Sequence, residues 1–245
     1  MRVGIIPCRY DSTRFPGKPL ALIHGKPMIQ WVHEAAKHAD LDWVYVATDS
    51  REIANACLDI EGCFCVMTDK AVSGSDRCYK ACKILNLKYD DIVINIQGDE
   101  PCITKEAINT VIAEVEEGVP CATLSYDTNF TDASNPDIAK VVVGDDGYAL
   151  YFSRLPIPYC SGVGSFQAHV GIYGYRFGVL EDFVELGESQ VERCESLEQL
   201  RLIEGGIGVR VVNTQYRGIG VDRPSDIILV ESVLAKESPS YGGGG

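Results

Sequence analysis

Short apolar runs alternate with amphipathic helical patterns through the first half of the chain, and this alternation constrains the fold more than any other feature. Strands are predicted at Val3–Ile6, Trp43–Ala47, Cys63–Met67 and Asp91–Ile96, and helices at Pro27–His38, Arg51–Leu58, Ser75–Leu85 and Thr104–Glu117. A strand, a helix and a second strand in succession form a parallel pair through a right-handed crossover. The sequence therefore predicts an α/β fold with a mainly parallel central sheet and helices on both faces.

The pattern changes after about residue 120. Strands are predicted at Ala122–Tyr126, Ala139–Val143, Ala149–Ser153 and His169–Tyr175, with hairpin-like connections, and helices at Ser196–Ile203 and Pro224–Leu234. We expect a single domain over residues 1–237. Its first half, about 1–119, is predicted to bind a nucleotide, and its second half, about 120–237, to form a smaller mixed sheet over an acceptor. The glycine-rich residues 238–245 are expected to be a disordered tail.

Composition narrows the class of protein. The chain has 245 residues, of which 46% are hydrophobic, and this is enough for a large core without disulfides. Its net charge of -13 argues against nonspecific binding to nucleic acid or to an anionic membrane. No secretory signal is visible in the sequence, and no apolar run approaches membrane-spanning length, so we expect neither secretion nor a membrane span. Its ten cysteines form no CxxC pair, which favours reduced thiols and a cytoplasmic protein.

A basic loop follows the first predicted strand, which is expected to end at Pro7. It carries three cations, Arg9, Arg14 and Lys18, with Ser12, Thr13 and Gly17 between them. Because the loop lies at the carboxyl end of a parallel strand, it is predicted to bind an anion such as a polyphosphate, although a solvated basic loop is the alternative. The Gly17-Lys18 pair is not a P-loop, since Pro19 stands where Ser or Thr is required.

Two aspartates are candidate magnesium ligands. Asp99 follows the apolar strand Asp91–Ile96, and Asp222 precedes the last predicted helix. Carboxylates at strand ends are hard oxygen ligands suited to magnesium beside phosphates. The alternative is that each aspartate only caps the helix that follows it. Gln97, two residues before Asp99, is predicted to read a base edge or a sugar hydroxyl.

Two further groups are candidate binding residues. The turn at Ser73, Gly74 and Arg77 is predicted to hold nucleotide hydroxyls or phosphate on its amides, although Ser75 is also expected to open a helix as an ordinary cap. His169 and Tyr173 share one face of a predicted strand, and Glu198 and Gln199 lie on a predicted helix. These four side chains offer donors and acceptors for a polyhydroxylated acceptor.

Taken together, these motifs resemble the 3-deoxy-D-manno-octulosonate (Kdo) cytidylyltransferase family. The matching blocks are Ile5–Leu20, Gly25–Gln30, Val46–Ser50, Ser73–Arg77, Val93–Pro101, Ala149–Pro158, His169–Arg176, Ser196–Arg201 and Gly218–Ile227. They follow the family order from residue 3 to about 235. The long blocks IIPCRYDSTRFPGKPL and VINIQGDEP are specific, whereas GKP or SLEQLR alone is weak.

The resemblance implies a GT-A-like nucleotidyltransferase fold, a homodimer and a magnesium-dependent reaction of CTP with Kdo that gives CMP-Kdo and pyrophosphate for lipopolysaccharide synthesis. By motif position, the triphosphate would contact Arg9, Ser12 and Lys18, and the nucleotide would also contact Ser73, Gly74, Arg77 and Gln97. Lys18 and Arg9 would act in catalysis by stabilising the leaving pyrophosphate. Magnesium would bind Asp99 and Asp222, which are therefore also catalytic. The sugar would be surrounded by Arg154, His169, Tyr173, Glu198 and Gln199.

The chain departs from the family pattern on the acceptor side. Family members carry a basic residue just before the histidine of the HxGIYGYR block, where this chain has Ala168, and the segment Tyr159–Gln167 is short. A variant acceptor such as 8-amino-Kdo therefore stays open. The residues also leave open a nucleotidyltransferase for another acidic sugar, a nucleotide-binding module without turnover, and an α/β domain whose loops are only capped.

Overall fold

The computed structural model describes residues 1–160 and 165–237, so the predicted tail at 238–245 lies outside the described residues. The strands are β1 (Arg2–Cys8), β2 (Leu22–Ile23), β3 (Lys26–Pro27), β4 (Trp43–Thr48), β5 (Phe64–Met67), β6 (Ile92–Asn95), β7 (Cys121–Thr128), β8 (Lys140–Val143), β9 (Ala149–Ser153), β10 (Phe166–Arg176) and β11 (Val209–Asn213). The helices are α1 (Met28–Lys37), α2 (Arg51–Leu58), α3 (Gly74–Ile84), α4 (Lys105–Glu116), α5 (Phe130–Ala133), α6 (Phe177–Leu186), α7 (Gln190–Glu195), α8 (Leu200–Glu204) and α9 (Asp226–Glu237).

Nine of the described strands form one sheet, whose main path runs β11-β7-β10-β6-β1-β4-β5. Strand β1 is parallel to both β4 and β6, β4 is parallel to β5, and β11 is parallel to β7. Strand β10 is antiparallel to both β6 and β7, and the β8–β9 hairpin is attached to it. The prediction of a mainly parallel sheet with a mixed region in the second half is confirmed.

Alternation along the strands gives the sheet two apolar faces. In β1, Ile6 and Cys8 pack with α1, α2 and α4, whereas Val3 and Ile5 pack with α3, α6 and α8. Helices therefore cover both faces, as predicted. The longest described helices, α4 and α9, have 12 residues each, and no described helix is long and apolar enough to cross a membrane.

The first strand does not end at Pro7, as the sequence predicted, but continues to Cys8. The pairing of β1 with β6 stops at Ile5, whereas the pairing with β4 continues through Pro7 and Cys8. Pro7 thus has a partner strand on one side only, a position where the missing amide hydrogen is tolerated. The extension carries the chain to the end of the sheet before the basic loop begins.

The predicted helix at Ser196–Ile203 is wrong in its first part. Helix α7 ends at Glu195, and Ser196 follows it in the left-handed conformation with φ of 54°. A residue in that conformation ends a helix, so α8 starts only at Leu200. The sequence also missed α6, which is apolar on most sides, and the parallel strand β11.

Truncating a core leucine tests this packing directly. Leu124 on β7 is fully buried, whereas Leu58 at the end of α2 is 82% exposed. We expect Leu124→Ala to lower the free energy of unfolding by about 2–5 kcal/mol, because it leaves a cavity between the sheet and α4. The same change at Leu58 should alter it by no more than about 0.5 kcal/mol. Urea unfolding followed by circular dichroism measures both values, and equal losses would contradict the described core.

Candidate active site

A cavity of about 870 Å³ opens at the carboxyl ends of β1 and β6. Its lining contains predicted residues from both halves of the chain: Arg9, Ser12, Arg14, Lys18, Ser73, Gly74, Arg77, Gln97, Asp99, Arg154, Glu198 and Asp222. Segments that are more than 200 residues apart in the sequence, such as those of Arg9 and Asp222, therefore share one space. The position agrees with the rule that open α/β sheets bind ligands beyond the carboxyl ends of their strands.

The centre of the cavity wall is an ion cluster around Lys18. The Lys18 Nζ atom lies 2.6 Å from Asp99 Oδ2 and 3.6 Å from Asp222 Oδ1. A second cation, Arg14, lies 3.2 Å from Asp222 Oδ2. The two aspartates therefore converge on one ammonium group, as a shared cation site requires.

The backbone fixes this convergence, and neither aspartate serves as a helix cap. The amide of Val221 donates to the carbonyl of Asp99 at 2.9 Å, which joins the two segments. Before α9, the Asp226 carboxylate accepts from the amides of Asp222 and Arg223, so Asp222 is free to face the cations. Thr104 caps α4 by accepting from Ala107. The capping alternatives for Asp99 and Asp222 are therefore excluded.

The donor set at this centre fits magnesium. Among residues 1–160 and 165–237, no set of three or more His, Cys, Asp or Glu side chains is placed to hold a metal ion. Magnesium, however, is commonly held by one or two carboxylates, with water and substrate phosphates completing its shell. The convergence of Asp99 and Asp222 supplies two such carboxylates beside a basic loop.

The start of helix α3 forms another part of the cavity wall. Ser73 is its cap and accepts from the amide of Asp76, so the prediction that Ser75 opens the helix is wrong. Ser75 lies inside the helix and donates to Glu198 at 2.7 Å. Gly74 faces Gln97, and a Cβ atom at this position would make an ordinary van der Waals contact of 3.7 Å with the Gln97 amide oxygen. Amides at a helix start favour an anion.

Arg77 and Gln97 line the cavity, and polar side chains of neighbouring residues hold both in place. The Arg77 side chain is only 5% exposed, and it donates to Thr68 at 2.8 Å and pairs with Asp49 at 3.2 Å. Gln97 donates to Asn95 at 3.3 Å. Both residues line the cavity, and their contact with a nucleotide stays a prediction.

The five residues predicted to surround a sugar fall into two groups. Arg154 and Glu198 line the cavity, whereas His169, Tyr173 and Gln199 are absent from its described lining. The prediction that Glu198 and Gln199 lie on a helix is wrong. They lie in the turn between α7 and α8, because Ser196 interrupts the helix. The Oε2 atom of Glu198 is buried and has no hydrogen-bond partner among the described residues.

His169 and Tyr173 share one face of β10, as predicted, and their ring centroids are 5.4 Å apart. The His169 ring also packs edge-on against Phe152, and its Nε2 atom lies 3.0 Å from the Thr123 hydroxyl oxygen. Burial lowers the pKa of His169 to about 3. The imidazole is therefore neutral at physiological pH and acts here as a packing and hydrogen-bonding group.

Comparisons with known proteins agree on one family. A family model described as Cytidylyltransferase matches residues 3–210. The 3-deoxy-manno-octulosonate cytidylyltransferase of Oleidesulfovibrio alaskensis is 43% identical over 238 residues, which cover 94% of this chain and 95% of that protein. The protein of the same name from Thermodesulfovibrio yellowstonii is 44% identical over 248 residues, which cover 95% of this chain and 97% of that protein. This chain belongs to the Kdo cytidylyltransferase family.

Solved structures agree with the family. A CMP:2-keto-3-deoxy-manno-octonic acid synthetase complexed with CTP is 40% identical and has a TM-score of 0.90, with 96% of this chain and 99% of that chain covered. A cytidylyltransferase from Leptospira borgpetersenii is 15% identical and has a TM-score of 0.63, with 97% and 88% covered. The second likeness is one of fold alone.

Against the Kdo cytidylyltransferase pattern, the departure at Ala168 lies on the core side of β10. Ala168 is fully buried with the helix α4 side of the sheet, whereas His169 packs with Phe152 on the other face. The position at which the resemblance led us to expect a basic residue therefore holds a small apolar side chain that packs into the core. His169 lies on the opposite face of the strand.

Sequence reasoning missed Glu100, although it stands next to Asp99. Its carboxyl is enclosed by the Gly171 amide and by the Tyr216 hydroxyl, which donates at 3.2 Å. Burial, and then the neighbouring Asp99 charge, raises the pKa of Glu100 to about 7. The two partners lie 71 and 116 residues away, so no local signal could indicate that Glu100 ties Asp99 to the second half of the chain.

The lowered pKa of His169 predicts a specific pH dependence of stability. Between pH 6.5 and 3, the unfolded state binds a proton that the folded state does not bind. This group therefore reduces the free energy of unfolding as the pH falls below 6.5, by up to about 1.4 kcal/mol per pH unit. We expect His169→Gln, which can still contact Thr123, to lose less stability than the wild type between pH 7 and pH 5.

Urea unfolding at several pH values measures this difference. The control is His38→Gln, because His38 is an exposed histidine at the end of α1. The control should keep the wild-type pH dependence. Parallel curves for His169→Gln and the wild type would contradict the burial of this imidazole.

Proposed function

We propose that this protein is an enzyme that transfers CMP from CTP to Kdo and releases pyrophosphate. The observation that carries the proposal is the convergence of Asp99 and Asp222 on Lys18 at the wall of the large cavity. That centre lies in a chain whose relatives along most of its length carry the name 3-deoxy-manno-octulosonate cytidylyltransferase. A CTP-bound synthetase with a TM-score of 0.90 supports CTP as the nucleotide.

The basic loop is proposed to hold the triphosphate. Arg9, Ser12 and Lys18 all line the cavity beyond the carboxyl end of β1. When the sugar hydroxyl attacks the α-phosphorus in line, an oxygen–phosphorus bond forms and the bond to the β-phosphate oxygen breaks. Lys18 and Arg9 then stabilise the negative charge that develops on pyrophosphate. Ser73, Gly74, Arg77 and Gln97 are proposed to orient the nucleoside part.

Asp99 and Asp222 are proposed to hold magnesium. When bound, the ion would neutralise phosphate oxygens and favour ionisation of the attacking hydroxyl. In the structure, the short Lys18–Asp99 contact places a cation next to the carboxylates, which reduces the mutual repulsion of the two acidic groups. Lys18 is then within reach of a triphosphate held on the same loop.

The second half of the chain is proposed to hold the sugar. Arg154 and Glu198 reach the cavity, and Glu198 is fixed by the Ser75 hydroxyl from α3. The described cavity lining does not include His169, Tyr173 or Gln199. We therefore propose that these three residues support the lining residues Arg154 and Glu198 from behind. Any contact of theirs with the sugar would be limited to the part of the sugar that lies next to the turn at Glu198. We propose 8-amino-Kdo as an alternative acceptor for the same site. We also propose a homodimer, a cytoplasmic location and a role in lipopolysaccharide synthesis, in keeping with the family resemblance.

A pyrophosphate-release assay tests the activity. We expect release with CTP and Kdo only when Mg²⁺ is present, and little release with ATP, GTP or UTP. Replacing Kdo with 8-amino-Kdo or with a different acidic sugar measures acceptor choice. Binding of CTP in calorimetry without release with any acceptor would contradict the proposal and favour a nucleotide-binding module.

Substitution of either aspartate tests the catalytic centre. We expect Asp99→Asn and Asp222→Asn each to lower kcat by about 10²–10³, because each removes one preorganised charge contact from the transition state. The matched control is Asp145→Asn, since Asp145 is exposed in the β8–β9 hairpin and should keep wild-type turnover. Circular dichroism checks that the variants are folded. Near-normal turnover in a folded Asp99 or Asp222 variant would remove that residue from the centre.

A further inference from the structure

Lys140, the first residue of β8, is a fully buried lysine whose role the motifs do not explain. Its ammonium donates to three main-chain carbonyls, those of Asn135 at 3.0 Å, Ile138 at 2.6 Å and Arg154 at 2.5 Å. Three acceptors need three N–H groups, which only the protonated form has. Within the described parts of the chain, no carboxylate oxygen forms an ion pair with it.

A buried charge of this kind is costly, because it has lost its water and lacks an opposite charge in contact. Burial, and then the nearby Arg154 guanidinium, lowers the pKa of Lys140, and Glu195 opposes this effect. An apolar side chain of similar length would fill the same space without that cost. Packing alone therefore does not explain the charge, whereas its hydrogen bonds and its electrostatic effect on neighbouring groups can.

Lys140 lies behind the part of the cavity lining that is proposed to face the sugar, which we call the acceptor wall and which contains Pro136, Asp137, Arg154 and Glu198. Pro136 and Asp137, between its partners Asn135 and Ile138, line the cavity together with Arg154. The Arg154 guanidinium donates to the Pro136 carbonyl at 2.8 Å. Lys140 and Arg154 thus close a ring of hydrogen bonds that fixes the loop against the end of β9.

This part of the cavity lining carries more carboxylates than cations, since Asp137, Glu188, Glu192 and Glu198 line it together with Arg154 and Arg193. The Arg154 guanidinium donates to the Glu195 and Ser196 carbonyls, and the Glu195 carboxylate accepts from Ser153 and from the Arg154 amide. Glu195 adds a further carboxylate behind this lining, so the positive charge of Lys140 offsets part of a local excess of negative charge that would repel an acidic sugar.

We propose that Lys140 is a positioning residue that gives the acceptor wall its preference for an acidic sugar. It holds the 135–138 loop and the Arg154 main chain in place and adds a positive charge behind them. This inference rests on the proposed function. Because β8 pairs with β10, and β6 separates β10 from β1, the effect should fall on the sugar more than on CTP at the basic loop.

The first test replaces the ammonium with an apolar group of similar length. We expect Lys140→Met to raise the KM for Kdo about tenfold, as for the loss of one charged hydrogen-bonding group. The KM for CTP should stay within about twofold of the wild type, since most of the nucleotide contacts lie elsewhere. Lys88→Met is the control, because Lys88 is exposed before β6, and it should change neither constant.

A second variant makes the opposite change in charge and also serves if Lys140→Met does not fold. Glu195→Gln can keep an acceptor for the Arg154 amide, while the Ser153 hydroxyl turns to accept from the new amide. It removes the negative charge from the wall, so we expect the KM for Kdo to fall by about threefold to tenfold. A purely structural role for Lys140 predicts no such decrease.

The outcomes separate the inference from the proposed function. A wild-type chain that releases no pyrophosphate from CTP and Kdo overturns the proposed function and this inference with it. An active wild type with an unchanged KM for Kdo in folded Lys140→Met overturns the inference alone. An unchanged or raised KM for Kdo in Glu195→Gln also overturns it. Opposite shifts in the two variants, with the KM for CTP constant, support it.

Discussion

The contact of the Lys18 ammonium with the carboxylates of Asp99 and Asp222 is the interaction on which the site depends. Two carboxylates that contact the same ammonium group would repel each other without that cation between them. The cation comes from the loop after β1, one aspartate from the turn that follows β6, and the other from the segment before α9. A single cluster therefore joins three distant parts of the sequence at one edge of the sheet.

The sheet makes this cluster possible. Strands β1 and β6 are adjacent and parallel, so their carboxyl ends deliver the basic loop and Asp99 to the same place. Main-chain hydrogen bonds then complete the arrangement, because the Val221 amide binds the Asp99 carbonyl and Asp226 organises the start of α9. The proposed chemistry would use side chains that the backbone has already placed, and this is the condition for electrostatic catalysis without reorganisation.

Much of the first half could be predicted from sequence, because its strands and helices are local patterns with clear caps. Helix α2, capped by Ser50, occurs with the predicted bounds, and Thr104 caps α4 as expected. The same local signals failed where a tertiary contact decides the structure. Ser196 reads as a helix start but adopts the left-handed conformation, and Pro7 reads as a strand end although β4 still pairs with it.

In the site, too, some residues could be predicted from local sequence motifs and others could not. Asp99, Asp222 and Lys18 stand in specific motifs, and the structure brings them together. The support of the acceptor wall was not predicted, since Lys140 bonds to carbonyls whose positions depend on the loop and on β9. The one available signal was a lysine at the start of the apolar run AKVVV, which is an unusual place for a charge. Its acceptors could not be named without the fold.

The most direct measurement of the central claim is the position of a divalent cation in crystals of the protein grown with CTP and Mn²⁺. Anomalous scattering from manganese locates the ion independently of the protein coordinates. The account predicts manganese within coordination distance of both Asp99 and Asp222, with the Lys18 ammonium against a phosphate oxygen. Manganese bound away from either carboxylate would contradict it.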